Sequence, residues 1–299
     1  MSQSFTSNQI YTQPAINGGR LSLVSGSPIA DASAQGTLYW VPYKSSYIAL
    51  YNGVRWLAIN AGEKSLALTL TSGSVYDVFG YLSSGTLALE TLVWTNTTTR
   101  ATALTTQDGC YVKSGDATRR YLGTIYASGT NQCTDSTSTR GLWNVDNQVV
   151  RTAQASDSTS SWTYTSQTIR ARNNNTTLGT GAFIVVTGLA VNTLRVYTGS
   201  AGVYNSGSSE GGHIFIGVDS TSVSSATMST FSTAPAGSPA SMGYAEYNAI
   251  PAIGAHTYQA LECSGRTTGT TNWVGYNSSG GIFFANDTFG SIMVGQYPM

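Results

Sequence analysis

Acid–base and nucleophilic chemistry needs side chains that carry protons or attack, and this chain has few of them. His213 and His256 are its only histidines. Each opens an apolar strand pattern with no G-x-S-x-G elbow and no cysteine partner nearby, so both read as structural and serine or cysteine hydrolysis is not expected. Glycan cleavage would need two carboxylates facing each other across a sugar, for which the second half offers Asp219, Glu246, Glu262 and Asp287. Glu246 and Glu262 fall inside alternating runs, where an outward, solvated carboxylate is the ordinary reading. The chain is therefore expected to be no enzyme.

Metal and cofactor patterns are missing too. There is no D-x-[DN]-x-[DN]-G loop, Walker loop or dinucleotide fingerprint, and Asp108-Gly109, Asp116 and Asp146-Asn147 read as turn residues. Cys110, Cys133 and Cys263 are odd in number, far apart and without a CxxC spacing. They are expected to be buried free thiols. Tryptophans 40, 56, 94, 143, 162 and 273 mostly lie in strand-like runs and are expected to fill cores. The exception is the stretch Asn272-Trp273-Val274-Gly275-Tyr276-Asn277, where aromatics and amides alternate beside a Gly-Ser turn. Asn272, Trp273, Tyr276 and Asn277 are its candidate receptor or subunit contacts, a core or subunit interface weighing more than a carbohydrate contact.

The elements that would carry these residues are short alternating runs punctuated by Gly, Asn, Asp and Ser, with almost no helical period. In residues 47–59 (YIALYNGVRWLAI) the Asn52-Gly53 pair predicts a hairpin with Ile48 and Leu50 opposite 55–57. A second hairpin is predicted over 75–94 around Ser83-Ser84-Gly85, then strands at 110–113 and 119–126, and a pair at 141–145 and 148–151 around Asp146-Asn147. Polar stretches at 127–140 and 152–160 read as loop and linker. About nine further strands follow from Ser161 to Tyr297, with a long Ser/Thr/Ala/Pro loop at 221–241. The fold class is all-β with two domains: an arm at 1–17, an N-terminal β-meander of barrel or sandwich form at 18–151, a linker at 152–160, and a C-terminal jelly-roll-like sandwich at 161–299.

Composition points away from chemistry and toward contact. Charged residues are only 9% and the formal net charge is +0, while hydrophobic residues reach 40% and aromatics 11%. Disordered chains combine low hydrophobicity with high net charge, so this one folds. Its uncharged faces lose little solvation on meeting a partner. Scattered Lys and Arg do not form the groove that phosphate binding needs, so nucleic acid is not an expected partner. No apolar run has transmembrane length and the first residues do not read as a secretory signal, so neither membrane insertion nor export is expected.

The ordered segments TLYWVPY, YIALYNGVRWLAI, VYDVFGYLSSGTLALETLVW, TTTRATALTTQDGCYVKSGDATRRYLGTI and GLWNVDNQVVR resemble a widespread group of tailed-phage virion proteins of the tail fibre or structural type. The resemblance spans about residues 18–220. It implies a virion component assembled in the host bacterial cytoplasm, with copies of itself and other virion proteins as partners and a host surface glycan or protein as a further one. By analogy with fibres and decoration proteins a homotrimer is expected, since symmetry buries exposed strand edges. A capsid decoration or head-fibre protein and a glycan-degrading tailspike are the alternatives.

Overall fold

A computed structural model of the chain describes residues 14–204, 212–230, 242–265, 271–274 and 291–299. The fold is all-β, with a single turn of 3-10 helix among the described residues, at Arg172–Asn174. Turn chemistry sets much of the register. Ser83 pairs with Thr86 and Gln107 with Cys110, so Ser84-Gly85 and Asp108-Gly109 are two-residue loops, and all four residues have positive φ. These are the mirror-image turns whose twist matches that of paired strands. At Asn52-Gly53 the loop is longer than expected. Tyr51 pairs with Trp56, Leu50 with Leu57 and Ile48 with Ile59, because the Asn52 side-chain oxygen accepts from the backbone N–H of Val54 and Arg55, 2.9 Å each, and closes a four-residue turn.

Two sheets dominate. The larger, with 13 strands among the described residues, runs from Arg170–Ala171 through Gly254–Ser264, Ala182–Thr187, Thr139–Arg140, Gln132–Ser136, Asp116–Gly129 and Cys110–Lys113 to Leu104–Gln107. The other, with seven, orders Val150–Asp157, Ser291–Pro298, Leu194–Tyr204, Met242–Ala249 and Met228–Ser229. A three-stranded sheet and the Tyr47–Tyr51/Trp56–Asn60 hairpin complete the first half. None closes into a barrel among the described residues, so of the two forms considered for the first half, the barrel is not seen.

The sandwich core lies between the two large sheets and draws on both halves of the sequence. Val75, Phe79, Tyr121 and Trp143 pack in one cluster with Phe183, Val196, Tyr258 and Met293. Ala182–Thr187 is buried at every position, as expected for a strand covered on both faces. A second cluster, including Leu21, Leu38, Trp40, Val78 and Leu122, belongs to the first half alone. Gly188 sits where the halves meet, and a Cβ there would lie 2.2 Å from the Tyr121 hydroxyl.

Three sequence expectations change. The linker at 152–160 is mostly the strand Val150–Asp157, which pairs along its whole length with Ser291–Pro298. Its Ala153 and Ala155 face the core, and inward residues this small hide the alternation. The loop at 127–140 is also largely strand, turning at Asn131 with φ 57° and pairing Gln132–Ser136 with Ala32–Gln35. Finally, 141–145 and 148–151 do not pair with each other. Leu142–Asn144 joins Asp116–Gly129, while Val150 onward joins the second sheet. Of the predicted long loop, 221–230 contains the short strand Met228–Ser229, and 231–241 lies outside the described residues, as does the predicted strand at 281–285.

Because one core spans both halves, Phe183→Ala is expected to cost about 3–5 kcal/mol and to lower a single thermal transition of the full chain. Calorimetry that resolves two transitions, only one of them shifted, would contradict the shared core.

Candidate functional site

The sequence directed attention to 272–277. Trp273, on the strand Thr271–Val274, is wholly buried and stacks on Trp162 at 6.3 Å with ring planes 13° apart. It is a core residue and presents no surface to a partner, which corrects its reading as a contact. Asn272 pairs through its backbone with Thr163 and Val203. Tyr276 and Asn277 lie outside the described residues.

The Trp162–Trp273 stack leads to a polar knot at one end of the sandwich. Glu262, wholly buried on Gly254–Ser264, accepts from Trp162 Nε1 at 2.7 Å, from Arg170 Nε at 2.9 Å and Nη2 at 2.7 Å, and from the Asn173 backbone N–H at 3.2 Å. Burial pushes its carboxyl above the usual range while these donors pull it back. The Arg170 guanidinium lies 3.7 Å over the Tyr164 ring. Beside it, Arg172 is buried and donates to Thr198 Oγ1 at 2.8 Å and to the carbonyls of Gly199 and Ser291 at 3.3 and 3.0 Å, tying the loop to the second sheet. Asp157 is held below its usual range, burial opposing and hydrogen bonds from Thr159, Asn173 and Asn175 prevailing. Asn173 and Asn174 adopt positive φ, 53° and 52°, a conformation Asn tolerates better than most residues. The knot fastens one sheet to the other, with Glu262 Oε1 accepting from Arg170 and Asn173 and Oε2 from Trp162.

The other candidate carboxylates are placed apart. Asp219, at positive φ, bonds His256 Nδ1 at 2.6 Å and the Thr257 N–H at 2.8 Å, while His256 Nε2 lies 3.3 Å from the Ile253 carbonyl. Glu246 pairs with Arg195 at 3.3 Å on the outward side of the second sheet. Asp287 lies outside the described residues. His213 stacks on Phe215 at 6.1 Å. All three cysteines are free. Burial pushes the Cys263 thiol up to about 11 and raises those of Cys110 and Cys133, which keeps them protonated. No group of three metal-ligating side chains occurs among the described residues.

A cleft of about 270 Å³ lies where the hairpin around Asp108-Gly109 meets the loop after Thr187, walled by Tyr111, Trp143, Gln148 and Val191. Its cation, Arg120, is committed to the carbonyls of Pro14, Ile16 and Ala49 at 2.7–2.9 Å and to Asp146 at 3.3 Å. Sequence reading missed this residue, and only its position in an alternating run marked it as able to point inward.

No protein-family model and no curated protein matches the chain. Among solved structures, the glycoside hydrolase BuGH86 in complex with neoagarooctaose overlaps 89% of this chain and 33% of its own, at 9% identity and a TM-score of 0.25. The mosquito-larvicidal Cry4Aa toxin from Bacillus thuringiensis overlaps 90% and 50%, at 8% identity and a TM-score of 0.19. The chain thus spans about a third to a half of these proteins, and superpositions this loose carry no argument about activity.

Removing the knot's acceptor strands buried donors. Glu262→Ala is expected to cost about 3–5 kcal/mol in a urea titration, and Glu262→Gln less. The His256–Asp219 pair gives a pH signature. Its hydrogen bond to Asp219 raises His256 above the imidazole value of 6.5, so that contribution is complete below 6.5 and fades as pH rises through the raised folded value. Asp219 is lowered from 3.8, burial opposing, so its contribution is complete above 3.8 and lost as pH falls through the lowered value. The Tm advantage of the native chain over His256→Gln should therefore be greatest between about pH 4 and 6.5 and shrink at higher pH. A difference independent of pH would show that the pair is not ionic.

Proposed function

We propose that this chain is a non-enzymatic structural protein of a tailed-phage particle, a tail fibre or related appendage that assembles with copies of itself, as a homotrimer, and mediates host attachment. The observation that carries the reading is the use made of reactive groups. Glu262, Asp157, Asp219 and His256 are spent on cross-links between strands and loops, and Glu246 is paired with Arg195. A protein built this way works through its surfaces.

The segments that resemble virion proteins support the same reading. TLYWVPY falls on the strand Thr37–Pro42, YIALYNGVRWLAI on the Tyr47–Asn60 hairpin, and VYDVFGYLSSGTLALETLVW on the Val75–Val93 hairpin. What is shared is therefore scaffold: strands, turns and the side chains between them. Localisation in the virion follows from this proposal, and a capsid decoration or head-fibre role is its nearest variant.

Electron microscopy of particles labelled with an antibody to this chain tests the assignment. Label along a tail appendage is the expected result, label on the shell selects the decoration variant, and unlabelled particles reject the virion role. Shortening of host surface polysaccharide by the purified protein would overturn its non-enzymatic character and select a glycan-degrading tailspike.

A further inference from the structure

The outward face of the second sheet carries a side-chain array that the scaffold does not use. Register places Thr152, Gln296, Arg195 and Asn248 in one row across four strands. The next row holds Gln154, Val294, Tyr197, Glu246 and Met228. A third brings Ser156 beside Ile292 and Gly199 beside Tyr244. Paired residues of neighbouring strands point to the same side, and the residues between them, such as Val196, Ala245 and Met293, are buried in the core.

Tyr197 is 38% exposed and Tyr244 46%. They are diagonal neighbours on adjacent strands, and Gly199, directly opposite Tyr244, has no side chain to cover that ring. The amides of Gln154, Gln296 and Asn248 have no hydrogen-bond partner among the described residues. Among the described residues the face bears one cation and one carboxylate, Arg195 and Glu246, already paired at 3.3 Å, with the Arg195 guanidinium 5.1 Å from the Tyr197 ring centroid.

We infer that this face, with Tyr197 and Tyr244 as its platform, binds a neutral polysaccharide chain. Sugar rings present C–H groups that rest on the electron-rich face of an aromatic ring, and hydroxyls that both donate to and accept from the amides ringing the tyrosines. The compensated charge offers nothing to a polyanion. The alternative occupant is a second copy of the chain, and the size of the face argues against it. Counting Val150 and Pro298, which continue the array, fifteen outward residues, each taking about 4.8 Å across the sheet and two rises of about 3.4 Å along it, cover on the order of 500 Å². A stable protein interface takes about 800 Å² from each partner. Exposed aromatics flanked by unbonded amides suit an extended, hydroxyl-rich ligand better than a dry subunit contact.

The inference rests on the attachment reading and names its ligand class and site, so the test must separate the two. In native gels cast with laminarin, dextran, xylan or galactomannan, migration of the full chain should be retarded by at least one polymer, with little change on adding salt. Tyr197→Ala combined with Tyr244→Ala should weaken the retardation roughly tenfold in apparent affinity, and Tyr244→Phe should retain it. Both rings are on the surface, so an unchanged Tm is expected for each variant. Retardation by none of the polymers, retardation unaffected by the double alanine variant, or an oligomer in native mass measurements that this variant dissociates would each overturn the inference, the last by giving the face to a second copy. Labelled particles without polysaccharide binding reject this face alone. Tyrosine-dependent binding by a chain that labels no particle rejects the virion role alone.

Discussion

Buried guanidinium groups bonded to backbone carbonyls hold this molecule together. Arg20 donates to the carbonyls of Pro28, Asn147 and Met299, and Arg120 to those of Pro14, Ile16 and Ala49. Arg140 reaches Thr152, Arg151 reaches Ile29, and Arg172 reaches Gly199 and Ser291. A planar, permanently charged group with five donors can satisfy several carbonyls at once, which a β-protein with many irregular connections needs, since a buried carbonyl without a partner is costly. Much of the small basic complement of the sequence is therefore internal, and the scarcity of charge on the outside follows in part from that use.

The densest example fastens the strand Val150–Asp157 of the second sheet to Gln132–Ser136 and Thr139–Arg140 of the larger one. Arg140 bonds both oxygens of Asp31, at 2.8 and 3.2 Å, and lies 3.4 Å from Asp135, while Arg151 contacts the same two aspartates. Burial raises the Asp135 carboxyl to about 6 against the pull of both arginines. Asp31, more exposed, is held low by those arginines although its partial burial opposes them. Burying three of these four charges, Asp135, Arg140 and Arg151, is expensive, and apolar replacements of similar shape can be as stable. What the charges add is geometric selectivity. The turn carrying Asp31, the strand carrying Arg140 and the strand carrying Arg151 fit together only when all four side chains meet.

Legibility from sequence followed the range of the interaction. Ser84-Gly85 and Asp108-Gly109 announce their turns because the constraint is local φ. Val150–Asp157 was hidden because alanines and hydroxyl residues alternate without contrast, and its identity as a strand depends on a partner far along the chain. The knot around Glu262 was hidden for the same reason: its donors at 162, 170 and 173 are gathered by the fold. Trp273 showed the right chemistry for recognition and the wrong side of the sheet. Tyr197 and Tyr244 lie in runs that were legible as strands, but which face would be solvent was fixed only by packing.

The pairing of Val150 with Pro298 and of Asp157 with Ser291 also sets an order of events during synthesis. A ribosome adds residues one by one, so the first of these two strands emerges long before its mate exists, and contacts this distant in sequence form slowly. Meanwhile its hydrogen-bonding edge is open to any neighbouring nascent chain. Its sequence, VRTAQASD, is low in β-branched and aromatic residues and carries a charge near each end, which makes it a poor seed for aggregation. The bland composition that disguised this strand as a linker is what allows it to wait.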